Sequence, residues 1–479
     1  MNRRMVVFLL GRILFAEAIL MLPSVLVGII YREAITWCFL PAIGVLLLLG
    51  LFGLKKPKNT TIYAREGFFV VAAAWVLMSL FGAVPFWLSG GFDTFWDALF
   101  EIVSGFTTTG ASILETVEQL PHCVLFWRSF SHWIGGMGVL VFTLAVLPRL
   151  SGRTSHLARA ESPGPTFAKL LPKMSDTAKL LYGLYFALSL LEAVCLLLAG
   201  MNVYDALIHT FGTAGTGGFS NYNASVGAFQ NPLIEWIIGV FMMLFGVNFA
   251  VYFHLLRKEK EAIRQSEELW FYLILIGVST LIMTVTILPQ YPGFFTALRT
   301  AFFQVTSIAS TTGFSTADFN LWPLFSKALV VLLMCLGACA GSTAGGFKLS
   351  RILLLFKSSY RDLEHTLQPR KVAVVRFEGK PVQESTLAQI GVYLAIWLFL
   401  AVVGTLLLCI RETDFVTAMT AALTCLSNVG PGLNGVGPTE NFAHFSPAAK
   451  LLLSFYMLAG RLEIYPILLL FSPNVWRKN

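Results

Sequence analysis

Ten long apolar runs, parted by short charged stretches, set the pattern of this chain. They cover about 5–30, 36–53, 67–89, 123–148, 180–200, 232–256, 269–289, 327–357, 387–410 and 447–471. About 20 apolar residues carry a helix across the hydrocarbon of a bilayer, so each run predicts a transmembrane helix. The first two are joined by the turn Tyr31-Arg32-Glu33 and followed by Lys55, Lys56, Lys58 and Arg65. The other eight fall into four pairs. Inside each pair sits a shorter stretch ending in a glycine-bearing segment, and the four segments resemble one another.

Those segments are Thr107-Thr108-Thr109-Gly110-Ala111-Ser112, Gly215-Thr216-Gly217-Gly218-Phe219-Ser220, Ser310-Thr311-Thr312-Gly313-Phe314-Ser315 and Ser427-Asn428-Val429-Gly430-Pro431-Gly432. Thirteen residues before the aligned glycines stand Asp97-Ala98, Asp205-Ala206, Thr300-Ala301 and Thr417-Ala418. Asp and Thr can accept the free amides that open a helix, so they predict helix starts. A helix of about 12 residues is roughly 18 Å long, about half the hydrocarbon thickness. Each copy therefore reads as a helix that enters the membrane halfway, followed by a non-helical strand. The glycines lie 108, 95 and 117 residues apart, which indicates four like modules. The predicted architecture is an all-α polytopic membrane protein. Two N-terminal transmembrane helices (1–60) precede four M1–P–M2 pore-loop repeats (61–155, 156–262, 263–365 and 366–479) in a pseudo-fourfold arrangement. The last repeat begins with a polar cytoplasmic segment, where 372–380 predicts a hairpin.

Irregular backbone at membrane depth persists only where it is buried or lines a cavity. Four strands meeting on one axis would offer rings of carbonyls, which can replace the water shell of a small cation. The half-helices point their partly negative C-terminal ends at the membrane centre, which favours a cation there. Composition agrees. Hydrophobic residues make up 56% and charged residues 13%, mean hydropathy is +0.73, and a soluble chain carries about twice that charge. The net charge of +8 does not imply nucleic acid, because the basic residues lie between the runs, as on the cytoplasmic side of membrane proteins. With both termini cytoplasmic, eight of the 34 Lys and Arg lie within spans or towards the outer surface: Arg12, Arg32, Arg128, Arg299, Lys327, Arg411, Lys450 and Arg461. That orientation puts the four strands in the outer half of the membrane. The seven cysteines lack zinc spacing and read as packing residues. The N-terminus reads as an uncleaved anchor.

The fourfold plan, with its Thr-Thr-Thr-Gly, Gly-Gly-Phe-Ser, Thr-Thr-Gly-Phe-Ser and Asn-Val-Gly-Pro-Gly strands, resembles the TrkH/TrkG/KtrB superfamily of potassium-translocating subunits over essentially the whole chain. The two extra N-terminal spans are similar to the TrkH/TrkG branch. The resemblance implies potassium uptake across a bacterial inner membrane, with K+ as the transported ion and no bound organic cofactor. It implies a homodimer in membrane lipid, with a TrkA-type cytoplasmic ring of nucleotide-binding domains as partner, docked on 149–179, 257–268 and 358–384. It also implies one key glycine per strand: Gly110, Gly218, Gly313 and Gly430. In the second strand Gly-Phe-Ser aligns Gly218, and a slip of one residue would select Gly217. The implied ion-binding set is Thr108, Thr109, Gly110, Thr216, Gly217, Gly218, Thr311, Thr312, Gly313, Asn428, Val429 and Gly430. By the resemblance, glycine rather than serine at the first filter position, Gly110, implies potassium over sodium.

A second unusual stretch, Gly337-Ala-Cys-Ala-Gly341-Ser-Thr-Ala-Gly345-Gly346-Phe347, lies within the run 327–357. Gly337, Gly341 and Gly345 share a helical face, which fits either a close-packing seam or a break in the helix. The resemblance implies an intramembrane gating loop containing Gly346 as well, with Ser342 and Thr343 as polar lining. Arg461 lies inside a span, where a charge is expensive and faces a partner or water. It reads as a partner of Glu463, as reaching the surface, or, by the resemblance, as a pore arginine on the gating loop. Lys348 is a weaker gate candidate beside the reading of an ordinary cytoplasmic-side lysine. Glu101, His209 and Gln304 hold one register, occupied by Ala421 in the fourth copy, and predict contacts behind the strands; Glu101 is also a candidate source of field in the pore. Arg128 and His132 are placed near the outer surface without a role.

Two other functions compete. A symporter coupling potassium to protons or sodium needs intramembrane acids, for which Glu192, Glu235 and Glu463 are candidates. Its broken helices usually come as inverted repeats, whereas these repeats run in one sense. No HExxH, GxSxG or paired-aspartate protease pattern occurs and the seven histidines are scattered, so no enzyme is expected.

Overall fold

The computed structural model describes residues 2–55, 57–59, 63–138, 174–371, 373–412 and 414–470. Among them, six helices are long and apolar enough to cross a membrane: Arg3–Ile30, Ala34–Gly53, Glu66–Leu88, Asp176–Leu198, Glu267–Gln290 and Glu384–Leu408. The first two are the N-terminal pair, and the other four each open one repeat as its outer helix. The architecture is an all-α polytopic membrane protein. The sheet among the described residues is the small hairpin Arg376–Phe377 with Lys380–Pro381, which overlaps the stretch 372–380 read as a hairpin and ends one residue beyond it.

The inner helices, which close the repeats, depart from expectation. The runs 123–148, 232–256, 327–357 and 447–471 read as single spans, with a break foreseen in the third alone. All four stop after 13–15 residues, as His122–Gly136, Pro232–Phe245, Leu324–Leu336 and Pro447–Arg461. In the second repeat the chain resumes as Phe249–Leu256, bent by 91°. In the third and fourth it resumes as Leu349–Leu367 and Tyr465–Leu470. Close approach accounts for two of these stops. A β-carbon on Gly135 would fall 1.8 Å from the carbonyl oxygen of Phe106, and one on Gly460 would fall 2.1 Å from that of Leu426. Both oxygens lie at the end of a half-helix. The rest of the first inner run, the basic segment from Arg149 to residue 173, Lys56 and the ending Arg477-Lys478-Asn479 lie outside the described residues.

The half-helices, or pore helices, are Phe95–Phe106, Val203–Gly215, Phe294–Ala309 and Phe415–Ser427. Their starts correct the reading of Asp97, Asp205 and Thr417 as caps. The caps stand three residues earlier, where Thr94, Asn202 and Asp414 accept the amides of Asp97 at 3.2 Å, Asp205 at 2.8 Å and Thr417 at 3.1 Å. An acid in the first turn still complements the positive end of the helix, which is why the residue type marked a helix start slightly late. Thr300 lies well inside the longer third pore helix, whose cap is Gly293.

Each pore helix packs on the inner helix of the preceding repeat. Lys450 of the fourth inner helix pairs with Asp97 of the first pore helix at 2.6 Å. Tyr204 donates to the carbonyl of His122 at 2.8 Å, and Arg299 pairs with Glu235 at 2.8 Å. The order 4-1-2-3-4 closes on itself. The N-terminal pair leans on the first repeat, where Glu33 accepts the amides of His122 at 2.6 Å and Cys123 at 3.0 Å. That carboxylate satisfies amides left free at a helix start.

Candidate functional site

The four pore helices end in one way. The amides of Thr109, Gly217, Thr312 and Val429 reach back five residues to the carbonyls of Ser104, Gly212, Ser307 and Thr424, at 2.9, 2.8, 2.8 and 3.0 Å. The residues just before those amides, Thr108, Thr216, Thr311 and Asn428, are left-handed, with φ of 54, 56, 59 and 54°. Such helix stops favour glycine or asparagine at that position. A β-branched residue there is strained, and three threonines accept that strain. Backbone strain of this kind gathers at functional sites. Two residues further on, Gly110, Gly218, Gly313 and Gly430 have φ of 79, 76, 85 and 101°. Gly217 is not left-handed, so the backbone matches Gly218 to the other three glycines.

The strands meet in a closed ring. A β-carbon on Gly110 would lie 1.9 Å from the carbonyl oxygen of Gly217, and one on Gly218 would lie 2.1 Å from that of Thr312. On Gly313 it would lie 2.2 Å from the oxygen of Val429, and on Gly430 2.6 Å from that of Thr109. Each glycine thus sits against the carbonyl that precedes its counterpart in the next repeat, and the fourth returns to the first. No side chain fits at these four points. The four glycines line one vestibule of about 160 Å³, together with Glu115 and Glu440. Among the described residues no cluster of His, Cys, Asp or Glu could hold a metal ion. Backbone oxygens are the polar atoms that crowd the ring glycines, and converging carbonyls can hold a monovalent cation.

Side chains behind the ring hold the strands. Glu101 accepts the Ser112 hydroxyl at 2.9 Å, the Ile113 amide at 3.0 Å and the Arg128 guanidinium at 2.6 Å. Its carboxylate braces the first strand. His209 reaches the Ser220 hydroxyl at 3.0 Å. Gln304, in the same register, has no partner for either amide atom among the described residues. In the fourth repeat Ala421 is replaced in this task by Thr420, whose hydroxyl accepts the Leu433 amide at 3.0 Å. Arg128 and His132, read near the outer surface without a role, are buried against the first and second strands, and Arg128 also borders the vestibule. His132 lies against the Gly105 carbonyl at 2.7 Å and the Phe219 ring. An arginine and a histidine in an apolar run gave a signal, but their partners on the strands could not be read from it.

Below the ring, residues 337–348 form a loop and not a helical seam. The Phe347, Lys348 and Leu349 amides bond to the Cys335, Leu336 and Ala338 carbonyls at 3.3, 3.1 and 3.1 Å and close its neck. Its tip touches the inner end of the ring, where the Gly345 amide donates to the Thr311 hydroxyl at 2.7 Å. A β-carbon on Gly345 would meet the Ser427 carbonyl oxygen at 2.4 Å. The hydroxyls of Ser342 and Thr343 bond to the Cys339 carbonyl at 2.6 Å and the Phe245 carbonyl at 3.3 Å. Lys348 is buried, with its ammonium on the Ala344 carbonyl, a packing that an ordinary solvated lysine on the cytoplasmic side would not have.

Arg461 joins this loop to the break in the first inner helix. It donates to the Thr343 carbonyl at 2.9 Å, the Gly136 carbonyl at 2.7 Å and the Gly135 carbonyl. Glu463 pairs with Arg351. The second inner helix joins through Cys339 amide to Gly246 carbonyl at 3.2 Å and Phe249 amide to Gly341 carbonyl at 3.1 Å. All four breaks therefore knit into one layer under the ring. Glu268, which the sequence reading passed over, accepts the Ala340 amide at 2.8 Å and the Ser350 amide at 2.9 Å. It stands in an acidic pair at a helix start, a pattern shared with any solvated first turn.

The profile of the TrkH family, described as a cation transport protein, matches residues 42–478. The chain is 38% identical over 477 residues to the Trk system potassium uptake protein TrkH of Salmonella typhimurium, covering 97% of each. It is 33% identical over 483 residues to the Trk system potassium uptake protein TrkG of Escherichia coli K12, covering 99% of each. The crystal structure of the potassium transporter TrkH from Vibrio parahaemolyticus superposes with a TM-score of 0.89 at 31% identity, over 100% of both chains.

Proposed function

Because the chain belongs to the TrkH family of cation transport proteins, we propose that it takes up potassium across a bacterial inner membrane, with the four-glycine ring as its selectivity filter. One observation carries the reading: each ring glycine abuts a carbonyl of the next repeat, in unbroken cyclic order. A ring of peptide oxygens can replace the hydration shell of a potassium ion. The C-terminal ends of four pore helices add partial negative charge on its inner side. Relatives over the full length are named potassium uptake proteins, which supports potassium as the cargo.

The loop 337–348 with Arg461 is the gate in this reading. Its tip bonds to Thr311 at the inner end of the ring, and Arg461 holds it to the first inner helix. A fixed guanidinium there opposes a passing cation, and release of its three carbonyls would free the loop. The relatives' membership of a Trk system supports a cytoplasmic TrkA-type regulatory ring docked on the basic segments, and a homodimer. The excess of Lys and Arg between spans supports cytoplasmic termini.

Gly313→Ser tests the filter. Its β-carbon must push the Val429 carbonyl aside, so the potassium-over-sodium flux ratio of the full chain in liposomes falls at least about tenfold, equivalent to ~1.4 kcal/mol. An unchanged ratio moves the filter elsewhere.

A coupled symporter remains the second reading on one observation. Of the candidate acids, Glu235 and Glu463 are paired, but Glu192 is buried, as is Glu17, with no basic partner among the described residues. Reversal potentials under opposed proton and potassium gradients decide. A potential set by potassium alone removes the symporter.

A further inference from the structure

Counting from the first residue of each inner helix, the seventh position is Arg128, Ile238, Val330 and Leu453. All four are buried, at 3%, 0%, 1% and 1% exposure. The fourfold plan thus places hydrocarbon at this point three times and a guanidinium once. An ion buried without partners is costly, and this one has three. Its Nε donates to Glu101 at 2.6 Å, its Nη1 donates to the Ser220 carbonyl at 2.8 Å, and its carbon lies 3.5 Å from the centre of the Phe219 ring. Glu101 in turn holds Ser112 and Ile113. One ion pair therefore grips the first strand through the carboxylate and the second through the guanidinium.

We propose that Arg128 is a positioning residue for ion selectivity: with Glu101 it fixes the distance between the first and second filter strands at a spacing suited to a dehydrated potassium ion. The inference rests on the filter reading above. Cavity size and the number of converging carbonyls govern potassium-over-sodium choice, and sodium is the smaller ion. Strands free to draw together would accept it. Arginine suits the task because its planar fork presents several donors in fixed directions and stacks on a ring, whereas lysine offers one mobile charge. Among the described residues no such ion pair stands behind the third and fourth strands: Gln304 has no partner there and Thr420 is neutral.

The test measures potassium and sodium flux of the full chain in liposomes. Arg128→Gln removes the grip on the second strand but leaves Glu101 its hydroxyl and amide donors. The potassium-over-sodium ratio should fall about tenfold, the scale of one hydrogen bond to a charged group. Arg128→Lys should give a smaller fall. A purely structural role would lower the yield of monodisperse protein and leave the ratio of the folded fraction unchanged, and that result overturns the proposal. If Arg128→Gln gives no folded protein, the ratio for Arg128→Lys decides. Gly110→Ser, in the ring itself, runs in parallel. If it shifts the ratio while the Arg128 variants do not, the grip is wrong and the filter stands. If neither shifts the ratio, both readings fall.

Discussion

The first and fourth strands of the ring share one backbone and differ in what holds it. Both pore helices end in the same five-residue closure, and Gly110 and Gly430 are both left-handed. Three residues beyond each glycine an amide needs an acceptor. For Ile113 it is the buried carboxylate of Glu101, balanced by Arg128. For Leu433 it is the hydroxyl of Thr420. The register that carries Glu101 carries Ala421 in the fourth repeat, and Ser112 is matched there by Gly432. A β-carbon on Gly432 would crowd Thr420 at 2.8 Å, so glycine and threonine exchange together for serine and glutamate. The repeat preserves the contact, and each copy supplies its own chemistry.

That contrast can be broken by removing each acceptor. Glu101→Leu should cost the most, about 3–5 kcal/mol, because it leaves Arg128 buried without its counter-charge. The detergent-solubilised protein should melt at a clearly lower temperature or fail to remain monodisperse. Thr420→Val removes a neutral hydroxyl from one buried amide and should cost less, about 1–3 kcal/mol, in the same melt. Equal costs would erase the distinction between charged and neutral bracing. Gln304→Met sharpens the comparison from the other side. Its amide group bonds to nothing, and replacing an unsatisfied buried polar group by an apolar one is near neutral or stabilising. Melting should hold or rise and the potassium-over-sodium ratio should stay. A large loss would mean that the third strand depends on Gln304 after all.

The regions differed in how far they could be read from residues alone. The strand glycines were legible because a left-handed position and a close approach both demand glycine, a local requirement written in residue type. The pore helices were legible as elements, with starts placed three residues late because Asp97 and Asp205 are acids of the first turn and not caps. The inner helices were misread as continuous in three repeats. A run of apolar residues with a glycine near its middle fits a straight helix as well as a broken one. What breaks it is the end of a pore helix pressing in, such as Phe106 against Gly135.

The order of residues by itself determined the all-α polytopic class, the fourfold repetition and the four glycines on which the site is built. Those follow from hydropathy and from backbone conformation, each decided within a few neighbouring residues. Only the folded arrangement decided that the strands close into a ring, that Arg128 lies behind it and that Glu268 holds the loop. Arg128 meets its partners 27 and 92 residues away, and Glu268 meets amides 72 and 82 residues away. At such separations a charged residue in a run announces its cost, but the partner that offsets it is chosen by packing.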